Sequence, residues 1–226
     1  MASVQSGESK AEPMQRQQVL IGSRALPGEL AVPPKAVGLV VFAHGSGSSR
    51  LSPRNRFVSD VLHGYQLATL LLDLLSDDEA RDRTNVFDIA LLGSRVVDAL
   101  DWAAQRRDLA SLRVGLFGAS TGAAAALVAA AQRPSTVGAV VSRGGRPDLA
   151  RECLPSVRVP CLLIVGGEDH DVIRLNRMAL RELAGDKQLE IVPGATHLFE
   201  EAGTLDTVAH LAGDWFARHL ARPGPT

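Results

Sequence analysis

The 226-residue sequence contains few cysteines, few aromatic residues and no long apolar run. Its two cysteines, Cys153 and Cys161, can form at most one disulfide, and a chain of this length does not need one. We therefore expect a reduced, cytoplasmic protein in which both act as small apolar residues. Aromatic residues make up only 4% of the chain, so the core must consist mainly of Leu, Val and Ala. The main apolar stretch, around residues 123–131, falls well short of the roughly 20 residues that span a bilayer, which predicts no membrane segment.

An excess of charge of one sign is also missing. The 24 Lys and Arg residues and 25 Asp and Glu residues give a net charge of -1, which provides no general attraction to nucleic acid or anionic lipid. The expected partners are a small-molecule substrate and water, for a monomer or small homo-oligomer. Residues 1–18 lack the apolar segment of a secretory signal. We expect a flexible tail over residues 1–16 and a single domain over residues 17–222.

Apolar runs and amphipathic segments alternate along most of the chain. Near-continuous apolar runs predict strands that are covered on both faces, at residues 37–43, 66–72, 113–117, 137–141, 160–165 and 188–192. Helical patterns lie between and after them, at residues 54–62, 86–107, 122–131, 171–183 and 205–220. This alternation predicts an α/β protein with a doubly wound, mostly parallel sheet, whose functional groups collect at the carboxyl ends of the strands.

Two segments depart from the alternation. The dipeptide Pro27-Gly28 separates residues 17–21 from residues 29–32, which predicts an N-terminal antiparallel hairpin at one edge of the sheet, with its turn at this dipeptide. Residues 77–85 are highly charged, and we expect them to form a loop.

A G-x-S-x-G pentapeptide, Gly118 to Gly122, joins the predicted strand 113–117 to an alanine-rich helix. This arrangement is typical of a nucleophile elbow, in which a tight turn lifts a serine above the sheet. Small neighbours on both sides let the strand and helix backbones pass closely. A pentapeptide alone also fits a plain glycine-rich turn, and it is the strand and helix around it that favour the elbow. Ser120 is therefore the candidate nucleophile.

A serine hydroxyl needs a base to take its proton and usually a carboxylate to orient that base. In folds with a nucleophile elbow the order along the chain is Ser, then Asp or Glu, then His. An acidic loop follows the strand 160–165, and we select Asp169 in it as the carboxylate. Glu168 and Asp171 are close alternatives, although Asp171 also fits a helix-capping role.

His197 is the candidate base, because it lies in the loop after the last predicted strand, 188–192. Four other histidines either fall within the closing helix or do not fit this order: His63, His170, His210 and His219. They also lack the close ligand spacing of a metal site. The predicted triad is therefore Ser120, Asp169 and His197.

The reaction also needs backbone N–H donors where negative charge develops on the substrate oxygen. Thr121, the residue after the nucleophile, supplies one at a helix N-terminus. The glycine- and serine-rich loop after strand 37–43 is expected to supply the second, from Ser46 or alternatively Gly45. We interpret His44 at the start of this loop as a brace rather than a proton carrier.

With these residues in order, the chain resembles the α/β-hydrolase superfamily over residues 19–221. It is most similar to small, lidless dienelactone-hydrolase-like members, including the type fused to phosphoribosyltransferase domains. Three segments carry the narrower resemblance: residues 44–55, residues 141–148, and residues 166–169 with Leu175-Asn176. The resemblance implies no metal and no organic cofactor. Dienelactone hydrolases proper use a cysteine nucleophile, and serine in that position makes a general carboxylesterase the better inference.

The segment between strands 137–141 and 160–165 is where superfamily members insert lids, and here it has room only for a loop and a short helix. We expect an open site for small, short-acyl esters. Arg143 and Arg146 follow a strand and either bind an anionic substrate group or form ion pairs with Asp148 or Glu152. The same alternatives apply to Arg50 and Arg54.

The sequence thus predicts a serine carboxylesterase that works through an acyl-enzyme. Thioester hydrolysis, acyl transfer and dienelactone-type lactone hydrolysis are alternatives that use the same triad. A catalytically idle hydrolase scaffold that serves in binding is the alternative of another class.

Overall fold

A computed structural model of the protein describes residues 13–221. Within these residues eight strands form one sheet. They are β1 (Gln15–Ile21), β2 (Leu26–Val32), β3 (Gly38–Ala43), β4 (Leu67–Leu72), β5 (Arg113–Ala119), β6 (Val137–Arg143), β7 (Cys161–Gly166) and β8 (Lys187–Val192). Residues 1–12 of the predicted N-terminal tail lie outside the described residues. The last two residues of that predicted tail, 15 and 16, belong to β1.

The sheet order is β1-β2-β4-β3-β5-β6-β7-β8. Strands β1, β2 and β4 pair antiparallel, and all pairs from β4 to β8 are parallel. Every residue of β3, β4, β6 and β7 is buried, as expected for parallel strands with helices on both faces. The predicted fold class is therefore confirmed.

Six α-helices are described: α1 (Pro53–Gly64), α2 (Asp77–Arg81), α3 (Ile89–Ala104), α4 (Thr121–Gln132), α5 (His170–Glu182) and α6 (Thr204–Leu220). Two short 3-10 helices occur at Asn85–Phe87 and Pro147–Ser156. Because side chains alternate across a strand, Leu39 and Val41 of β3 pack in the apolar cluster with α3 and α4, whereas Val40 and Phe42 pack with α1 and α6. No helix within residues 13–221 is both long and apolar enough to cross a bilayer.

The predicted hairpin is present, but its turn is not at Pro27-Gly28. Residues 22–25 form the turn, with Gly22 at φ 67° and Ala25 at φ 51°. Pro27 and Gly28 instead lie in β2, opposite Leu20 and Val19. Gly22 adopts the left-handed conformation that a tight turn requires without a steric cost, and this glycine was the signal that the prediction missed.

The predicted charged loop 77–85 is also wrong in part, because residues Asp77–Arg81 form α2. Its Ser76 and Glu79 make a reciprocal capping box, with Ser76 N–H donating to Glu79 Oε2 over 3.0 Å. This S-x-x-E pattern is a helix-start signal that the high charge of the segment obscured. Helix α3 is shorter than predicted, since Asp88 caps it and it begins at Ile89.

The connection between β6 and β7 is short, as predicted, and contains the 3-10 helix Pro147–Ser156 in place of a lid. Both cysteines are free, and burial raises the pKa of the Cys161 thiol to about 12.

His44, directly after β3, ties the ends of two neighbouring strands together. Its Nε2 accepts a hydrogen bond from Leu74 N–H over 3.1 Å, and its Nδ1 lies 2.9 Å from Gly45 O. Because a backbone N–H can only donate, Nε2 is unprotonated and Nδ1–H donates to Gly45 O. Burial lowers the pKa of His44 below 6.5, which favours this neutral form.

The His44 brace predicts a specific pH dependence of stability. As pH falls below about 6.5, the unfolded chain takes up a proton at this imidazole before the folded chain does. The free energy of unfolding should therefore fall with pH until the folded-state pKa is reached, by up to about 1.4 kcal/mol per pH unit. In His44→Gln, which does not titrate, this contribution should be absent.

Urea unfolding of both proteins between pH 5 and 7.5 measures the difference. His63 and His219, whose pKa values burial also lowers, are present in both proteins and cancel. Parallel stability profiles would contradict the assignment of the brace.

Candidate active site

Ser120 lies between the end of β5 and the start of α4, in a strained backbone conformation. Its φ of 50° and ψ of -119° lie in a region that non-glycine residues rarely adopt. Ser120 N–H donates to Arg143 O over 3.2 Å, and Ser120 O accepts from Arg146 N–H over 3.1 Å. The last residue of β6 and the segment after it thus hold the serine from both sides and stabilise the unfavourable conformation.

The glycines of the pentapeptide are required by close backbone contacts. A Cβ atom on Gly122 would lie 2.1 Å from Ala43 O, and one on Gly118 would lie 2.4 Å from Ala123 Cα. Neither position leaves room for a methyl group, since atoms in a close-packed interior cannot approach so closely. Helix α4 therefore begins directly against the end of β3, in the geometry that defines a nucleophile elbow.

Asp169 and His197 meet at the carboxyl ends of β7 and β8. His197 Nδ1 lies 2.6 Å from Asp169 Oδ2, a distance expected for a hydrogen bond to an ionised carboxylate. Gly166 allows this approach, since a Cβ atom there would lie 2.3 Å from Ala195 O. The Asp169 side chain is 15% exposed and that of His197 is 39% exposed, so the imidazole faces solvent on one side.

Neither of the two alternative carboxylates, Glu168 and Asp171, forms a hydrogen bond or ion pair with His197. Asp171 is 90% exposed and pairs with Arg174 on the same helix, and Glu168 contributes its backbone N–H to Ala195 O. The histidines outside the predicted triad have structural partners or lie on the surface: His63 bonds Thr69, His210 bonds Tyr65, and His219 packs on Trp215.

Ser120 and His197 line one cleft of about 180 Å³, which we call the Ser120 cleft; its walls also include Gly45, Ser46, Arg54 and Arg143. Asp169 and His197 are directly hydrogen-bonded, whereas within residues 13–221 no hydrogen bond joins Ser120 Oγ to the imidazole. The structure thus brings Ser120 and His197 to one cleft at the carboxyl edge of the sheet, and Asp169 is linked to this cleft by its hydrogen bond to His197.

The loop after β3 lies against the serine. A Cβ atom on Gly45 would lie 3.0 Å from Ser120 Cβ, and Gly45 and Ser46 line the Ser120 cleft. A turn with Gly47 at φ 68° and a Ser48 N–H to Gly45 O bond of 3.2 Å shapes this loop. Thr121 is the first residue of α4, where backbone N–H groups have no partner within the helix. These are the three positions predicted to supply N–H donors.

Arg143 is a buried arginine without an acidic partner among the described residues. It is 7% exposed, its Nε makes no hydrogen bond, and its guanidinium lies 5.9 Å from the ring centre of Phe199. Burial and the nearby Arg54 guanidinium lower the pKa of Arg143 to about 10. An ionised group in this position is costly unless something pairs with it.

The other arginines considered from the sequence are all paired. Arg146 donates two hydrogen bonds to Asp148, at 2.9 and 2.8 Å, and Arg54 pairs with Glu200 at 3.0 Å. Arg50 pairs with Asp73 and lines a separate surface cavity. The structure therefore brings Arg143 and Arg54 to the Ser120 cleft, but not Arg50.

Two features of the site were given no structural role from the sequence. Asn176 of α5 is fully buried and donates from Nδ2 to Gly145 O over 3.0 Å, which fixes the segment that holds Ser120. An apolar pocket of about 200 Å³ lies beside the loop after β3; its apolar walls are Leu74, Leu75, Ala80, Val86 and Leu92. The only signal for it was the leucine pair that follows β4.

Comparison with curated proteins finds two Mycobacterium tuberculosis relatives, from strains CDC 1551 and H37Rv, whose names propose a phosphoribosyl transferase. Each is 60% identical over 209 residues, which cover 92% of this chain and 47% of the relative. The chain thus spans about half the length of these relatives, and their names describe the longer proteins.

Among solved structures, a dienelactone hydrolase from Anabaena variabilis is 54% identical, with a TM-score of 0.89 over 93% of this chain and 100% of that one. Est1E from Butyrivibrio proteoclasticus is 14% identical, with a TM-score of 0.75 over 89% of this chain and 98% of that one, and shares the fold. The family model described as the dienelactone hydrolase family matches residues 73–219. With its elbow, mixed sheet and these matches, the chain belongs to the dienelactone hydrolase family of α/β hydrolases.

Proposed function

We propose that this protein is a carboxylesterase that uses Ser120 as nucleophile, His197 as base and Asp169 as the carboxylate that orients it. The observation that carries the proposal is the 2.6 Å hydrogen bond between His197 Nδ1 and Asp169 Oδ2, beside a strained serine that faces the same cleft. The substrate is a small ester and the second reactant is water.

In the first half-reaction Ser120 Oγ attacks the ester carbonyl carbon while His197 Nε2 takes the hydroxyl proton. Nδ1–H remains bonded to Asp169, which stabilises the imidazolium that forms. His197 then gives the proton to the leaving alcohol oxygen as the carbon–oxygen bond breaks, leaving an acyl-serine. In structures without substrate, catalytic hydrogen bonds are often long and tighten on binding, so we expect the Ser120 to His197 bond to form with the substrate.

In the second half-reaction a water molecule replaces the alcohol. His197 takes one of its protons as the oxygen attacks the acyl carbon, and returns a proton to Ser120 Oγ when the acid leaves. In both steps the backbone N–H groups of Thr121 and of Ser46 or Gly45 stabilise the negative carbonyl oxygen. The His44 brace supports the loop that carries the second donor.

Arg143 is proposed to contact an anionic group of the substrate. Its charge is buried beside Ser120 without an acidic partner within residues 13–221, and a carboxylate or phosphate on the substrate supplies the missing charge. Arg54 contributes to the same positive wall, although Glu200 offsets its charge.

Thioester hydrolysis and acyl transfer need the same triad, and competition between water and added alcohols or thiols separates them from ester hydrolysis. A fluorophosphonate probe separates all of these from an idle scaffold. It labels a serine only where a base activates the hydroxyl.

Replacing the nucleophile gives the primary test. Ser120→Ala should lower kcat on p-nitrophenyl acetate by at least about 10⁴-fold and abolish fluorophosphonate labelling. The urea unfolding curve should not shift toward lower stability, because the strained residue is kept small. Ser94→Ala, on the exposed side of α3, is the matched control and should retain full turnover. Undiminished hydrolysis by Ser120→Ala would refute the mechanism.

A second test separates the acidic residues that the sequence left open. Asp169→Asn should lower kcat by about 10⁴-fold, because the amide no longer selects the required tautomer of His197. Asp171→Asn, two residues away on the surface, should change kcat little. Steady-state kinetics measure kcat for the two variants. An equal loss of kcat in both would show that Asp169 does not orient His197.

Arg143 is tested with a matched pair of substrates, 4-acetoxybenzoate and its neutral amide, 4-acetoxybenzamide. Arg143→Met should lower kcat/KM for the anion by about 10- to 100-fold, the loss expected for a charged hydrogen bond, and leave the amide nearly unaffected. The free energy of unfolding should not decrease, because a buried unpaired charge is removed. Arg151→Gln, exposed on the surface, is the control. An equal effect on both substrates would assign Arg143 a structural role.

A further inference from the structure

The apolar pocket and the Ser120 cleft share one wall. Gly45, Ser46 and Ser48 line both, so the loop after β3 lies between them. Thr121, whose backbone N–H is a proposed donor to the substrate oxygen, lines the apolar pocket rather than the cleft. The substrate carbonyl oxygen must accept hydrogen bonds from the donors on both sides, so its position lies at the boundary between the two cavities.

The chemistry decides which half of an ester lies on which side. His197 must give a proton to the leaving alcohol oxygen, so the alcohol half lies on the side of His197 and Arg143. The acyl half then extends from the carbonyl carbon in the opposite direction, past the backbone N–H donors of Ser46 and Thr121. The cavity that it meets there is the apolar pocket.

The pocket fits a neutral apolar group. Leu74 and Leu92 form its buried floor, at 0% and 3% exposure. A dry cavity of about 150 Å³ with aliphatic walls holds benzene, so a pocket of about 200 Å³ holds an acyl chain of about six carbons. Asp77 also lines it and disfavours an acyl group that carries a negative charge, whereas Arg50 offsets the charge of Asp73.

The outer wall is held in place by a network centred on Glu79. Arg95, which is 8% exposed, donates to Glu79 Oε1 over 2.7 Å, and Asn85 Nδ2 donates to Glu79 O over 2.8 Å. Ser76 N–H donates to the second carboxylate oxygen. These bonds fix α2 and the 3-10 turn that carries Val86, so the depth of the pocket is defined rather than open-ended.

From these observations we infer that the apolar pocket binds the acyl group of the substrate, and that Val86 and Ala80 limit its length to about six carbons. The inference rests on the proposed ester hydrolysis and adds to it the chemical class of the acyl group: a neutral, unbranched or aromatic chain. The alcohol half, with its charge, remains on the Arg143 side.

The test compares kcat/KM for p-nitrophenyl acetate, hexanoate and laurate. The native protein should prefer hexanoate to both of the others. Val86→Phe fills the pocket and should lower the ratio of hexanoate to acetate by at least about tenfold, since a few methylenes in an apolar pocket account for that much discrimination. Val86→Ala should keep hexanoate activity and raise the relative rate for laurate.

Two further variants keep the result unambiguous. Ala80→Phe narrows the pocket from an exposed position, where a larger side chain does not disturb folding, and should act in the same direction as Val86→Phe. Val37→Phe makes an identical exchange at a 40% exposed residue before β3, at the opposite end of the sheet, and should leave the ratio unchanged.

The outcomes separate this inference from the function on which it rests. If acetate is hydrolysed through Ser120 but no pocket variant changes the chain-length ratio, the acyl group binds elsewhere and the inference is wrong. If the native protein hydrolyses none of the esters and a fluorophosphonate does not label Ser120, the proposed function itself is wrong.

Discussion

The site depends on the backbone conformation of Ser120. A positive φ at a non-glycine residue costs about 1–3 kcal/mol, and the protein maintains it with hydrogen bonds from both sides, to Arg143 O and from Arg146 N–H. The surrounding contacts also hold this backbone conformation in place. At Gly118 and Gly122, β5, α4 and β3 lie closer together than any side chain would allow. The strain is the local consequence of packing a helix directly onto the ends of two strands.

The segment that holds Ser120 also carries the unpaired charge. Arg143 accepts the serine N–H with its carbonyl oxygen, and its guanidinium is buried at the cleft without an acidic partner among the described residues. Asn176 fixes the next turn of this segment from α5, the helix that follows Asp169. The strained serine and the unpaired charge therefore both depend on the short segment around the end of β6, and Asn176 ties that segment to the helix that follows the proposed carboxylate. Unfavourable features that the rest of a structure maintains are concentrated at functional sites.

Much of this arrangement was predictable because it depends on local patterns. The G-x-S-x-G pentapeptide between a strand and an alanine-rich helix indicated the elbow, and the buried parallel strands appeared as apolar runs. Sequence order indicated Asp169 and His197, but it could not exclude Asp171, since only the path of the chain after β7 decides which carboxylate turns toward the imidazole. The hairpin turn and α2 were missed because Gly22 and the Ser76–Glu79 pair are weak signals beside a Pro-Gly dipeptide and a run of charges.

What the sequence could not provide is the lateral order of the strands, and this order separates the two sides of the site. Ser120 follows β5, the fifth strand in a sheet whose order is β1-β2-β4-β3-β5-β6-β7-β8. Strands β3 and β4 lie on one side, and they are followed by the loop after β3, which begins at His44, and by the leucine pair of the apolar pocket. Strands β6, β7 and β8 lie on the other side and carry Arg143, Asp169 and His197.

The proposed proton transfer and the buried charge of Arg143 therefore lie on one flank of Ser120, and the apolar pocket lies on the other. An ester that binds across Ser120 must orient its two halves accordingly. Chain order alone would place the His44 loop and the Arg143 segment nearly 100 residues apart, with no indication that they flank the same serine. The proposed direction of substrate binding thus follows from sheet topology, through the rule that functional groups gather at the carboxyl ends of parallel strands.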